Sequence, residues 1–371
     1  MVEHFLDRIY RGIRSNRKWV IGILLAGLVH WFSLYPGLIE KYYTYGLYPV
    51  ISKTQRFLFG WLPFSAGDLF YGLVLIYLLV KIFRLFRVFY RKKMNRQYGL
   101  HWVGQILFFC LSVYVIFNIA WGLNYSRIGI SRQLGLDMQK YSVVELDSLT
   151  AVLQRRLNSY ILLTSRAQRD SFYTKRNLFR ESSAAYREAA AEYPFLDYSP
   201  RSIKPSLFSY VGNILGFTGY YNPFSGEAQV NTTVPVFIQP FIACHEIGHQ
   251  LGYGKENEAN FSGFLACRRH PSAAFRYSVY FDMYNYTIGE LFRKDSVTAR
   301  QFVDRLDPLV KKDFRDLREF FDRYSNPIEP IISWAYSGYL KANRQPAGKE
   351  TYSQVVAFLI AYQKKFGKES L

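Results

Sequence analysis

His245, Glu246 and His249 stand in the run Phe241-Ile242-Ala243-Cys244-His245-Glu246-Ile247-Gly248-His249, a match to the pattern HExxH. Histidines four residues apart lie on one face of an α-helix, one turn from each other. Both imidazoles can then reach one metal ion about 2 Å away. Glu246 follows the first histidine, so it sits beside such an ion rather than on it. There a carboxylate can serve as general base towards a metal-bound water.

Two imidazoles need a third protein ligand. Beyond a stop at Gly252 and Gly254, a second helix can open at Glu256-Asn257-Glu258-Ala259-Asn260. Glu256 and Glu258 are two residues apart, about 200° around a helix, so they cannot both face the metal. Glu256 is the expected ligand. It falls in the first turn, where the chain is still near His249, and Asn260 lies one turn on along the same face. Ala259 and Gly263 on that side are small enough for the two helices to approach closely. Only six residues separate His249 from Glu256, so a tight turn could bring in Glu258 instead. Otherwise Glu258 is a solvated carboxylate favoured by the helix dipole. Three protein ligands leave the fourth position of Zn2+ to water, as in catalytic rather than structural sites. Tyr336, Tyr339 and Tyr352 are candidates for a hydroxyl that steadies a developing oxyanion.

The elements that must position these residues fall in residues 125–371, the size of one soluble domain. Val143–Leu163 has the pattern of an amphipathic helix, with Ser142 and Glu145 as a capping box. Arg169–Glu192 reads as another helix. A β-like stretch follows, with Leu207–Val211 and Gly226–Asn231 as strands, before Pro235 and Pro240 lead into the motif helix. One such strand could offer its edge to an extended peptide or merely cover the core. Residues 271–292, 296–324, 327–342 and 351–366 complete a helix-rich α+β domain.

Residues 1–124 read as a membrane anchor with three spans, at about 19–35, 69–86 and 102–123, the first uncleaved and residues 36–66 a connecting loop. Up to residue 104 the chain carries 15 Lys and Arg against 4 Asp and Glu, a net of +11 out of +19. These charges flank apolar runs, so they point to a lipid bilayer and not to nucleic acid. No zinc-finger spacing or phosphate-cradling glycine loop is present. The basic segments at 1–18 and 81–96 belong in the cytoplasm by charge, which places 36–66 and 125–371 outside. Cys110, Cys244 and Cys267 form no disulfide framework; the last two read as small buried core residues, with a bridge between them the alternative.

HEIGHQLGYGKENEANF, the preceding GYYNPFSGEAQVN and the later SGYLKANRQPAGKETYSQVV resemble an uncharacterised family of bacterial membrane proteins grouped with the zincin-like metallopeptidases. The resemblance covers most of the chain. It implies a zincin-type fold, but no substrate. The motif is also similar to that of gluzincins, where HExxH is followed by ExxxD or ExxAD. Here Asn260 replaces the aspartate that orients a ligand histidine, and its oxygen can accept the same hydrogen bond without charge.

The expected function is a zinc-dependent peptidase of the bacterial plasma membrane, with an extracytoplasmic catalytic domain acting on peptide or protein substrates. A non-proteolytic zinc protein, sensor or scaffold, is the alternative. An intramembrane protease is disfavoured, because the motif lies some 120 residues beyond the last span.

Overall fold

Two apolar runs fix their own structure. The computed structural model, which describes residues 16–343, 345 and 352–371, forms helices over Ala66–Tyr90 and Arg96–Ala120. Each has 25 residues, with mean hydropathy of 2.1 and 2.0 in its most apolar stretch. At 1.5 Å per residue each is about 38 Å long, more than the hydrocarbon core of a bilayer. Leu73, Ile76, Phe83, Leu107 and Ile116 all point outward, as lipid-facing side chains should. The side chain of Asn95 caps the second helix by accepting from the Tyr98 N–H. The first apolar segment is a shorter helix, Arg17–Ser33, followed by helical segments from Pro36 to Phe59 at an angle of 96°. Among the described residues two helices are therefore able to cross a membrane, or three if the bent pair counts as one span.

The expectation of a loop at 36–66 is overturned. Pro36–Leu38 is helical, Ile39–Leu47 is π-helical and Tyr48–Phe59 is an α-helix. The reason lies in an inverted amphipathic pattern. Ser52 and Arg56 are buried while Val50, Phe57 and Leu58 are exposed, so the apolar residues do not mark the inward face.

The described residues divide into two units. One comprises the residues up to Tyr48 together with Leu69–Arg127; the other comprises Pro49–Asp68 and Ile128–Leu371. In the first, the Tyr43 hydroxyl donates to the Ile119 carbonyl at 3.0 Å.

The second unit is mainly helical, and its helices used below are labelled in chain order. Helix α1 is Tyr48–Phe59, whose residues from Pro49 onward belong here, and α2 is Ala66–Tyr90, which begins here. Helix α3, Val143–Leu163, opens with the expected capping box of Ser142 and Glu145. Leu146, Leu149, Leu153 and Leu157 on one stripe of α3 are fully buried, and α3 packs along α6, Ala273–Lys294. The 169–192 segment breaks at Thr174 into a short helix and Lys175–Glu192. The 296–324 segment breaks before Pro308 into Ser296–Asp304 and Pro308–Tyr324. Helix α7 is Glu329–Ala342, and a final helix runs over Tyr352–Phe366.

Among the described residues three short strands form one sheet: β1 (Ile203–Pro205), β2 (Gly219–Asn222) and β3 (Glu227–Val230), in the order β1-β3-β2. β1 runs parallel to β3 with Ile203 opposite Ala228, and β2 runs antiparallel to it with Gly219 opposite Val230. The strand expected at Leu207–Val211 is absent. Ser209–Leu215 instead forms one short helix that ends on Gly216 at φ 78, the left-handed conformation glycine adopts freely. Local β propensity was overridden there by a helix that Asn231 ties down, donating to the Ser209 carbonyl at 3.1 Å. Cys244 and Cys267 are buried and not bridged. The N-terminal basic run up to residue 15 and the side chain of Tyr352 lie outside the described residues.

Candidate metal centre

The motif helix α4, Gln239–Gln250, is followed by α5, Glu256–Cys267. The turn between them is set by Gly252 at φ 85. The Tyr253 N–H bonds the Gly248 carbonyl and the Gly252 N–H bonds the His249 carbonyl, the paired contacts of a Schellman ending. This reversal lets a six-residue link carry the chain back along α4. The helices then approach closely: a Cβ at Gly248 would stand 2.3 Å from Ser262 Oγ, and one at Gly263 3.2 Å from the backbone nitrogen of His245.

At this crossing His245, His249 and Glu256 converge, each offering a ligand atom within 4.8 Å of the others. His245 Nε2 is 3.4 Å from Glu256 Oε2, and His249 Nε2 is 3.8 Å from Glu256 Oε1. Two ligands about 2.0–2.1 Å from a tetrahedral ion lie about 3.3 Å apart, and each histidine comes near that spacing to a different oxygen of Glu256. The far side of each ring is engaged as well. His245 Nδ1 lies 2.8 Å from Asn260 Oδ1, and His249 Nδ1 lies 2.7 Å from the Tyr253 carbonyl. These oxygens accept, so each Nδ1 carries hydrogen and Nε2 is the nitrogen turned towards Glu256, the one a metal would take from the neutral ring. The donor set of two imidazoles and a carboxylate is one that zinc accepts.

Glu258, the alternative ligand, points elsewhere. It is 3 % exposed, not solvated, and packs against Gly129, where a Cβ would overlap its Oε1. Lys255 Nζ lies 3.5 Å from the same oxygen.

Burial is the largest influence on each group of the cluster. It pushes Glu246 up to about 8 and His249 down to about 4. Burial opposes the charge on Glu256, but the bond to His245 and the charges of both histidines outweigh it and hold the carboxyl at about 2. Burial likewise opposes charge on His245, yet the bond to Glu256 and the charge of Glu246 raise it to about 9.

Other groups complete the surroundings. The Tyr336 hydroxyl on α7 donates to Glu256 Oε1 at 2.8 Å, and Tyr339 stacks on its ring. Gln345 Oε1 accepts from the Glu256 N–H at the start of α5. β2 passes beside Glu246, so that a Cβ at Gly219 would stand 2.5 Å from Glu246 Oε1. Two neighbours on α6 escaped the sequence reading. Tyr286 donates to Asn260 Oδ1 at 3.3 Å, and burial pushes Asp282 up to about 7 against the pull of His245. They lie four residues apart on one helix face, the one available signal, but nothing local ties that face to the motif.

Fold and site together define a helical chain with membrane-length apolar helices and a partly buried His-His-Glu cluster. The chain belongs to a family described as a protein of unknown function, DUF3810, which matches residues 43–360. No curated protein and no solved structure matches it.

Proposed function

We propose that this chain is a membrane-anchored zinc metallopeptidase with a zincin-like catalytic domain, in which His245, His249 and Glu256 hold the metal and Glu246 is the general base. The observation that carries the reading is the convergence of the three ligand atoms, each histidine held by an oxygen at its far nitrogen, with Glu246 alongside. Bound Zn2+ would supply a Lewis acid for the scissile carbonyl and lower the pKa of its water towards neutrality. Glu246 would take the proton from that water and pass it to the leaving amine. Tyr336 keeps Glu256 oriented; burial drives its own pKa well up, so the hydroxyl stays a donor. β2 is an edge strand beside Glu246, so its outer edge could pair with an extended peptide across the site.

The test is Glu246→Gln in the full chain. Bound zinc should stay near one equivalent while cleavage of a peptide library falls roughly 10²–10⁴-fold. A variant that cleaves like the parent would remove Glu246 from the chemistry and the peptidase reading with it.

A further inference from the structure

The surface of the second unit carries an apolar face that the site does not explain. In α1 the usual arrangement is reversed. Ser52 Oγ donates to the Gln250 carbonyl at 2.9 Å, Gln55 to the Pro223 carbonyl at 2.9 Å and Arg56 to the Pro200 carbonyl at 3.0 Å. The polar side of the helix is spent inward, and Phe57 and Trp61 stand 73 % and 76 % exposed. A second exposed run contains Leu207, Tyr210 (69 % exposed) and Ile214. Residues 57–64, FLFGWLPF, and 207–217, LFSYVGNILGF, contain no charged side chain. Contiguous apolar surface of this kind marks an interaction site rather than ordinary solvent exposure.

The two runs adjoin. Lys204 Nζ donates to the Gly60 carbonyl at 3.0 Å and also to that of Leu62, and the Leu207 N–H donates to Asp68 Oδ2 at 2.7 Å. Asp68 is the last residue before the uninterrupted apolar stretch of α2. The Glu227 carboxylate accepts from the N–H groups of Ala66 and Gly67, fixing the first turn of α2 to β3.

We propose that this face rests on the lipid surface, with the side chains of Phe57, Trp61, Leu207, Tyr210 and Ile214 sunk into the headgroup layer around the point where α2 enters the bilayer. The proposal rests on reading α2 as membrane-spanning. Lipid is the occupant because the bilayer is already at that level: Leu207 is bonded to the residue from which the span departs. Tryptophan and tyrosine among aliphatic neighbours suit that boundary, where an apolar body and a polar edge are both accommodated. The consequence reaches the candidate centre. The Tyr220 hydroxyl donates to the same Asp68, and the adjoining Gly219 touches Glu246. One tyrosine side chain therefore separates the start of the span from the strand beside Glu246, and a peptidase built this way acts on polypeptide held at the membrane surface.

The experiment uses the full chain in lipid nanodiscs. In a Cys110→Ser background, with Cys244 and Cys267 buried, single cysteines replace Trp61, Tyr210, Ile76 or Val144 and carry an environment-sensitive fluorophore. Lipids with a quencher near the headgroup or in mid-chain report depth, iodide reports water, and circular dichroism checks that each variant is folded. Labels at Trp61 and Tyr210 should be quenched more by the shallow than by the mid-chain lipid, Ile76 more by the mid-chain lipid, and Val144 by iodide alone. If Trp61 and Tyr210 respond only to iodide while Ile76 responds to lipid, the span stands and the docking face is wrong. Shielding of both positions from lipid and iodide alike would put a protein on the face and equally sink the proposal. An Ile76 label that escapes lipid would remove the span, and the proposal with it.

Discussion

Asn260 and the Tyr253 carbonyl do for the two histidines what neither can do alone, fixing ring orientation and the nitrogen that faces inward. Such partners matter to metal affinity by roughly 10–100-fold. Asn260→Ala should therefore weaken zinc binding by about that factor, and Asn260→Asp should restore it, as read by competition with a chelator. Equal affinity in all three proteins would show that the His245 contact is not a support. The carboxylates separate more sharply. Glu256→Ala should lose zinc on dialysis, whereas Glu258→Ala should keep it and instead lose stability where it packs against Gly129. The reverse pattern of zinc loss would mean that Glu258 is the ligand. His245, His249, Glu256 and Asn260 were legible in the sequence because helical periodicity and one short turn relate them all. Asp282 and Tyr286 were not, because only tertiary packing brings α6 to them. Among the tyrosines, periodicity could not single out Tyr336; its contact with Glu256 depends on how α7 packs.

At the scale of elements, the site depends on how nearly α4 and α5 touch. A methyl at Gly248 would meet Ser262 Oγ at 2.3 Å and the backbone of Ala259 at 3.2 Å. The hydroxyl can rotate away but the backbone cannot, so Gly248→Ala should force the helices apart and destabilise by about 1–3 kcal/mol. Gly289, inside α6, has nothing within 4 Å of the corresponding position. Gly289→Ala should stabilise by roughly 0.5–1 kcal/mol through helix propensity alone. Thermal unfolding in detergent gives both signs, and a neutral Gly248→Ala would show that the crossing tolerates a wider spacing. The helices with inward apolar stripes were readable, as α3 and its capping box show. The helix of residues 48–59 was not, because its polar side chains are the buried ones. Leu207–Val211 looked like a strand for a related reason: its apolar residues face outward, where periodicity carries no information about the core.

For the whole molecule, the membership of the second unit constrains topology. Residues 49–68 precede the two long apolar helices and residues 128–371 follow them, yet both segments pack in one unit. Bonds such as Ser65 to Glu227 and Ser52 to Gln250 need both segments on the same side of a membrane. If Ala66–Tyr90 and Arg96–Ala120 both cross, the chain returns to the side it left, so the parity would agree. The turn between these helices carries Arg91, Lys92 and Lys93, and Arg96 opens the second helix; such charge would favour the cytoplasmic side. If that charge sets the orientation, the second unit would lie outside whether or not the bent N-terminal pair also spans, an expectation that rests on the hairpin alone. Thr54 and Ser296 are exposed in the second unit and Lys93 in the turn. With Cys110 replaced by serine, cysteines at Thr54 and Ser296 should react with a membrane-impermeant thiol reagent in intact, outer-membrane-permeabilised cells, and one at Lys93 only after lysis. Opposite labelling of Thr54 and Ser296 would break the parity argument. Labelling at Lys93 alone would keep the parity and invert the orientation, leaving the candidate centre in the cytoplasm.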